Sequence, residues 1–263
     1  MPEGDTIHKL ALFLDEELRD SPIQRIELRP MFGASSGPRR VSRVSSEGKH
    51  LYFTFDDGMQ LRTHLGMYGS WHRYRPSEPW RKPTRQAAVV IVAEQAVFVC
   101  FNAKEVQWLR LRGFERADRA ARLGPDLIQD GLDPSEILRR VDSLLDPETL
   151  LVDLLLDQRI AAGIGNVYKS EVLFLERQSP LNRRCDLDDA TLLALYRRAA
   201  LLLGENLGGG PRATRANLDG HGHLWVYGRR GLPCLRCGSP VQRGTLGSQP
   251  RSTYWCTACQ PRS

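Results

Sequence analysis

Long hydrophobic runs and lysines are both scarce in this sequence. No stretch approaches the ~20 consecutive apolar residues that a transmembrane helix needs, so we expect no membrane segment. The first residues include Glu3, Asp5 and Asp15, which is unlike a signal peptide, and we therefore expect a cytoplasmic protein. Only five of the 37 basic residues are lysines, so chemistry that needs an uncharged amine has few candidates. The lysines are Lys9, Lys49, Lys82, Lys104 and Lys169.

Cysteine is also uncommon, with six residues in a chain of 263. So few cysteines in a cytoplasmic protein argue against a disulfide framework. Cys100 lies in the apolar run VFVCF and is expected in the core. Cys185 precedes a predicted helix, and no role is assigned to it.

The other four cysteines form two C-x-x-C pairs near the end of the chain. Cys234 and Cys237 are separated from Cys256 and Cys259 by 18 residues, and this spacing is typical of a tetrahedral zinc site with a hairpin between the pairs. Four thiolates leave no open coordination position. We therefore predict one structural Zn²⁺ that folds a segment too small to have its own core.

Positive charge is concentrated around this predicted zinc ribbon. The net charge is +6, and the segment from Arg229 to Ser263 holds six arginines and no acidic residue. A basic zinc ribbon fits contact with nucleic-acid phosphates, although many such ribbons bind protein instead.

The chain is long enough for two domains, or for two with a small appendage. The first helix is predicted from the spacing of Ile7, Leu10, Ala11 and Leu14, with Asp5 as its N-cap. The sequence to about residue 115 then predicts short antiparallel strands, with a hairpin turn at Asp57-Gly58 and a second hairpin in AAVVIVAEQAVFVCF. This pattern is typical of a sandwich or barrel.

Helical periodicity replaces the strand pattern from Pro134 to Asn206. Asp146 and Pro147 predict the start of a helix whose apolar face begins at Leu150, and a long amphipathic helix is predicted to end at the glycines of GENLGGG. Between helices, AAGIGN places two glycines before Asn166. This turn could present helix N–H groups to a phosphate, although taken alone the glycines favour a plain glycine C-cap.

In this order, the motifs resemble the formamidopyrimidine-DNA glycosylase / endonuclease VIII family over nearly the whole chain. The resemblance rests on PEG at the start, GKHL, HLGMYG, RLGPD, DQRIAAGIGNVYKSE and the zinc ribbon. It implies an α+β multidomain fold. The predicted segments are an N-terminal helix with an antiparallel catalytic β-sandwich (1–121), a hinge (122–140), a helical helix–two-turn–helix domain (141–228) and a zinc finger (229–263).

The resemblance also implies a role for the first residues. Removal of Met1 would leave Pro2 with a free secondary amine, and N-terminal amines have a pKa of about 7.7–8.0 against about 10.4 for lysine. Pro2 is therefore the expected nucleophile that forms a Schiff base with C1′ of a deoxyribose. Glu3 is expected to protonate and open the sugar and to assist loss of the base.

Further site residues follow from the family motifs. Lys49 matches a hairpin lysine that contacts the lesion-side phosphate and donates a proton during strand cleavage. Arg251 matches a finger arginine that grips phosphates and assists the second elimination, with Arg243 as a weaker candidate. The expected DNA-binding residues are Met67, Tyr68, Arg122, Gly165 and Asn166.

The wedge region HLGMYG bears on the substrate. Met67 and Tyr68 could fill the gap left by an everted base, or could simply pack in the core. The purine-directed branch carries an Arg–Phe pair that FNAKEVQWLRL lacks, whereas Met67-Tyr68 is similar to the wedge of endonuclease VIII, whose enteric members have glutamine at the position of Gly66.

The favoured prediction is a bifunctional glycosylase and abasic-site lyase acting on oxidised pyrimidines in damaged double-stranded DNA. It would β,δ-eliminate as a monomer and need no soluble cofactor. An 8-oxoguanine- and formamidopyrimidine-directed enzyme, or a basic zinc-ribbon protein that only binds DNA, are the alternatives.

Overall fold

A computed structural model describes residues 1–28, 38–110, 123–216 and 219–262. The chain forms two compact units, Met1–Arg119 and Ala120–Ser263. The segment boundaries at residues 121, 140 and 228 stay predictions. Within the described ranges, no helix is both long enough and apolar enough to cross a bilayer.

In the described residues of the first unit, an α-helix packs with an antiparallel sheet. The helix is α1 (Gly4–Leu18), and a short 3₁₀ helix spans Thr84–Gln86. The strands are β1 (Pro22–Leu28), β2 (Arg39–Glu47), β3 (His50–Phe55), β4 (Met59–His64), β5 (Ser70–Tyr74), β6 (Ala87–Ala93), β7 (Val97–Phe101) and β8 (Glu105–Arg110). Both predicted hairpins are confirmed, as β3–β4 and β6–β7.

The sheet order is β5-β7-β6-β1-β2-β3-β4-β8. β1 and β2 pair over only two positions, Pro22 with Arg40 and Ile23 with Arg39, so the sheet divides into two four-stranded halves. One hydrophobic core contains residues of α1 and of both halves. This arrangement confirms the predicted helix and antiparallel β-sandwich.

The start of α1 differs from the prediction in one detail. Ile7, Ala11, Leu14 and Leu18 are buried, as the periodicity predicted. The N-cap, however, is Glu3, and Asp5 lies inside the first turn with 1% of its surface exposed. The expected Asp5 cap was wrong because the helix begins two residues earlier than the capping residue type indicated.

The second unit contains the helices α2 (Pro134–Leu144), α3 (Leu151–Leu156), α4 (Asn166–Leu175) and α5 (Asp189–Glu205), with a 3₁₀ helix at Arg184–Asp186. Asp133 and Asp188 cap α2 and α5, because their side chains accept hydrogen bonds from backbone N–H groups of the first turns. Asp146 does not cap a helix as expected. It accepts a hydrogen bond from the backbone nitrogen of Glu148 in a turn, and α3 begins at Leu151.

The long helix α5 ends before the glycines that were expected to end it. Its C-cap is Asn206, whose side chain donates 2.8 Å to the carbonyl of Leu202 and 2.7 Å to that of Ala213. Near the C-terminus, β9 (Gln242–Leu246) and β10 (Arg251–Trp255) form an antiparallel hairpin. A small buried cluster joins this finger to α4 through Phe174, Val226 and Val241.

Candidate functional site

The first two predicted site residues lie at the N-terminus of α1. Pro2 is partly buried, while the preceding Met1 is 45% exposed. Glu3 is fully buried, and its carbonyl accepts the first helical hydrogen bond from Ile7 at 3.0 Å. The backbone N–H groups of a first helical turn give this end of α1 a positive electrostatic character that favours a carboxylate there.

The turn with Lys49 lies at the same end of α1. Gly48, with φ +55°, and Lys49 connect β2 to β3, where Glu47 pairs with His50. Two contacts fix the direction of α1 against β2. Asp15 accepts a hydrogen bond from the backbone of Val44, and nearer the start of the helix His8 is 3.3 Å from the hydroxyl of Ser46. The end of β2 that leads into the Lys49 turn therefore lies nearest the start of α1.

Two histidines lie on the strands next to the Lys49 turn. His50 directly follows Lys49 at the start of β3, and His64 is the last residue of the neighbouring strand β4. The rings of His50 and His64 are 4.8 Å apart at their centroids. Burial holds the pKa of His64 below its ordinary value, and Lys104 and Lys49 lower it further while Glu105 opposes them. His64 is therefore neutral near pH 7, and it can serve as a hydrogen-bonding group without adding charge beside Lys49.

The residues of the predicted wedge are presented to solvent between β4 and β5. Met67 is 49% and Tyr68 75% exposed, so neither packs in the core. Glycines shape this turn: Gly66 has φ +63°, and a Cβ there would lie 2.9 Å from the Cβ of Lys104. A glutamine at this position would be strained, which gives a physical reason for the difference from the enteric pattern.

The RLGPD motif packs against the turn between α3 and α4. Gly124 donates 2.8 Å to the carbonyl of Gln158, and a Cβ on Gly124 would lie 2.3 Å from the carbonyl oxygen of Ile160. This close approach explains the glycine. Arg122, the expected phosphate contact of the motif, lies outside the described residues.

Gln158 organises the glycine turn, a role that sequence reasoning missed. Its amide donates to the carbonyls of Leu156 at 2.8 Å and Ile164 at 3.0 Å, and its oxygen accepts from the backbone of Gly163 at 3.1 Å. Gly163 has φ +107°, which favours glycine. The turn therefore leads into α4 in a fixed conformation.

Asn166 begins α4, with Gly165 as the N-cap. The side-chain nitrogen of Asn166 donates 2.7 Å to the carbonyl of Ser252 in β10, and its oxygen accepts 2.6 Å from the ammonium of Lys169. Lys169 is fully buried and also donates 2.8 Å to the hydroxyl of Thr253. The start of α4 and the finger strand thus form one hydrogen-bonded group.

Glu171 is a second buried charged residue that sequence reasoning missed. Its carboxylate accepts hydrogen bonds from the backbone nitrogens of Trp225 at 2.8 Å, Val226 at 3.0 Å and Tyr227 at 2.8 Å, and from the hydroxyl of Thr214. One side chain therefore holds the segment that leads into the finger against α4.

The four predicted zinc cysteines converge in the finger. Their sulfur atoms all lie within 4.8 Å of one another, with Cys234 3.9 Å from Cys259 and Cys237 3.5 Å from Cys256. Tetrahedral thiolates at the usual Zn–S distance of about 2.3 Å are about 3.8 Å apart, so the cluster has the size of a metal site. Cys185 is exposed and lies outside this group, and Cys100 is buried as expected.

Arg251 is the first residue of β10, and its side chain is exposed. Arg243 lies on the facing strand β9 and donates 2.9 Å to the hydroxyl of Ser252. The hairpin therefore carries two arginines on either side of Ser252, the residue whose carbonyl accepts from Asn166.

Comparison with known proteins gives matches along the chain. The model of the formamidopyrimidine-DNA glycosylase N-terminal domain matches residues 1–116, and that of the formamidopyrimidine-DNA glycosylase H2TH domain matches residues 123–216. A probable endonuclease 8 2 of Streptomyces coelicolor is 37% identical over 266 residues, covering 99% of this chain and 94% of the relative. A DNA-(apurinic or apyrimidinic site) lyase, Nei2, of Mycolicibacterium smegmatis is 34% identical over 266 residues, covering 100% of both chains.

Solved structures show the same fold. A formamidopyrimidine-DNA glycosylase of Lactococcus lactis, bound noncovalently to DNA with an abasic site, superposes with a TM-score of 0.82 at 21% identity, covering 99% of this chain and 100% of the other. The two family models and the full-length relatives lead to one conclusion. The chain belongs to the formamidopyrimidine-DNA glycosylase family, on its endonuclease VIII branch.

Proposed function

We propose that this protein removes oxidised pyrimidines from double-stranded DNA and then cuts the strand through a Schiff base at Pro2. The observation that carries the proposal is the arrangement at the start of α1, where Pro2 adjoins the buried Glu3 and the turn with Lys49 lies at the same end of the helix. The lyase name of the Mycolicibacterium smegmatis relative supports the second activity.

Pro2 supplies the nucleophile once Met1 has been removed. The nitrogen then becomes a secondary amine with an ordinary pKa close to neutral pH, so a useful fraction is uncharged. Its attack on C1′ forms a carbon–nitrogen bond as the bond between C1′ and the damaged base breaks, and the base leaves with the proton that the Pro2 nitrogen gives up. While Met1 is attached, the same nitrogen is part of an amide and is not nucleophilic.

Glu3 acts on the sugar. Its carboxyl group donates a proton to the ring oxygen O4′, the ring opens, and an iminium ion joins Pro2 to C1′. Loss of a proton from C2′ then expels the phosphate on the 3′ side, and a second elimination expels the phosphate on the 5′ side. Lys49 contacts the lesion-side phosphate and donates a proton in these steps, and water finally releases the sugar fragment from Pro2.

Recognition of the lesion requires eversion of the base from the helix. The exposed side chains of Met67 and Tyr68 fill the vacated space, with Tyr68 stacking on neighbouring bases. The similarity of this wedge to that of endonuclease VIII, and the endonuclease 8 names of relatives, favour oxidised pyrimidines over oxidised purines.

The second unit binds the DNA backbone. Gly165 and Asn166 present N–H groups of α4 to a phosphate, Arg251 grips the phosphates beside the lesion, and Arg122 adds a further contact. The four cysteines fit a structural zinc ion, which when bound cross-links the finger. We also propose that the protein acts as a cytoplasmic monomer.

A panel of duplexes with single defined lesions tests this proposal. Oxidised pyrimidines should be excised at least tenfold faster than 8-oxoguanine, and reduction with borohydride should trap an adduct with abasic DNA. A matched form whose N-terminus is extended by one uncleaved residue should trap none. Preference for 8-oxoguanine would assign the substrate to the purine branch, and binding without any adduct would reduce the protein to a DNA-binding module.

A further inference from the structure

The turn between β9 and β10 is attached to the helices on both sides of Arg251. Before Arg251, the backbone at Ser248 contacts Asp153 of α3. After Arg251, Ser252 and Thr253 contact Asn166 and Lys169 of α4. All of these residues belong to the second unit.

The Asp153 contact is close. The backbone nitrogen of Ser248 donates to both carboxylate oxygens of Asp153, at 3.0 Å and 2.8 Å. The preceding Gly247 has φ +95°, and a Cβ there would lie 2.5 Å from an oxygen of Asp153. The positive φ and the close carboxylate both favour glycine here, and the charged acceptor strengthens the hydrogen bonds that hold the turn against α3.

The Lys169 contact is buried. Lys169 and Thr253 both have 0% of their surface exposed, and the ammonium nitrogen lies 2.8 Å from the Thr253 hydroxyl and 2.6 Å from the Asn166 side-chain oxygen. A buried ammonium group is retained only where acceptors surround it, so its hydrogen bonds define its position closely. Because Lys169 has no exposed surface, it does not itself face a phosphate.

We propose that Asp153 and Lys169 are positioning residues that fix the backbone on either side of Arg251 and so aim its guanidinium at the DNA. Arg251 is exposed at the start of β10, three residues after Ser248 and directly before Ser252. Holding a short segment at both ends restricts the directions available to the side chain between them, which lowers the entropy lost on binding a phosphate. The inference rests on the proposed phosphate contact of Arg251.

Double-mutant cycles with R251A test the proposal. The probe is a duplex with a tetrahydrofuran abasic-site analogue, which binds but cannot be cleaved, so affinity is measured without chemistry. D153A and K169M should each raise Kd about fivefold to tenfold, and each should reduce the slope of log Kd against log salt by about one phosphate contact, as R251A does. In the R251A background, neither substitution should raise Kd more than twofold further.

A control separates positioning from general loss of stability. Arg198 forms an ion pair with Glu176, the C-cap of α4, at the opposite end of that helix from Asn166. R198M should leave Kd and the salt slope within twofold of the wild-type values. If K169M does not fold, T253V removes the hydroxyl partner without burying a new charge, and it should raise Kd about threefold in the presence of Arg251 only.

Effects of K169M, D153A or T253V that multiply with that of R251A, or unchanged Kd in all three folded variants, would overturn the proposal. Trapping with borohydride on the wild-type protein separates this outcome from failure of the proposed function. If an adduct forms but the Kd effects of the variants are independent of R251A, only the positioning role is refuted. If the Kd effects depend on Arg251 but no adduct forms, only the Schiff-base chemistry is refuted.

Discussion

The carboxylate of Glu171 lies 2.8 Å from the backbone nitrogen of Trp225, although the two residues are 54 positions apart in the chain. Neighbouring backbone nitrogens at Val226 and Tyr227 donate to the same side chain, which is fully buried. A single acidic residue on α4 therefore organises the segment that leads into the finger.

E171A should destabilise the second unit by about 3 kcal/mol, because it leaves buried N–H groups without their acceptor. Urea unfolding followed by tryptophan fluorescence, in which Trp225 and Trp255 report on the second unit, measures this change. E205Q, at an exposed position near the end of α5, should stay within about 0.5 kcal/mol of wild type. Equal stability of E171A and wild type would show that the three backbone hydrogen bonds make no net contribution to the free energy of unfolding.

Glu171 and Lys169 show which site features could not be predicted from the sequence. The α1 and α5 helices, the hairpin at Asp57-Gly58 and the cysteine cluster were all predicted correctly, because each depends on periodicity, a turn residue or ligand spacing within a short segment. Glu171 and Lys169 were missed because charged residues in a helix are ordinarily solvated, and only tertiary packing buries them against segments distant in sequence.

Local capping signals were less reliable than periodicity. Asp5 and Asp146 both have the residue type of a cap, yet α1 begins at Gly4 and α3 begins at Leu151. Packing decides these boundaries, since burial of Ile7 and Leu151 determines where each helix meets its core. The roles of Pro2, Glu3 and Lys49 came from the family motifs and stay predictions.

C237S should strongly weaken metal binding by the finger. Removal of one of four thiolates opens the predicted site, so the zinc content measured by atomic emission should fall from one ion per chain to well below half. Affinity for DNA should fall at the same time. C185S changes the exposed cysteine outside the cluster and should keep one ion per chain. Full zinc content in C237S would contradict the four-cysteine assignment.

Y68A should slow excision of a lesion from duplex DNA by roughly fivefold to 150-fold. Base–aromatic stacking contributes about 1–3 kcal/mol per base. Tyr68, which is 75% exposed, is the aromatic residue of the wedge that can provide this stacking. Single-turnover excision from a lesion duplex measures the rate. Y68F keeps the ring and should retain at least half of the activity. A wild-type rate in Y68A would exclude Tyr68 from the wedge.

E3Q should separate the two activities of the protein. Loss of the Glu3 carboxyl removes the proton donor for sugar opening, which assists release of the base, so excision of a damaged base should fall by about 10²–10⁴-fold. With an abasic site made beforehand, the open-chain aldehyde is already available, and borohydride should still trap an adduct. D5N, which changes the neighbouring buried carboxylate in α1, is the matched variant and should retain base excision within about tenfold. Equal loss of excision and trapping in E3Q would assign Glu3 a structural role.

The most direct measurement is mass-spectrometric mapping of the reduced cross-link between the mature protein and abasic-site DNA. Met1 should be absent from the reactive fraction, and the sugar fragment should be attached to the nitrogen of Pro2. Attachment to any lysine, or a stable adduct on a chain that still carries Met1, would contradict the proposed Schiff base at Pro2.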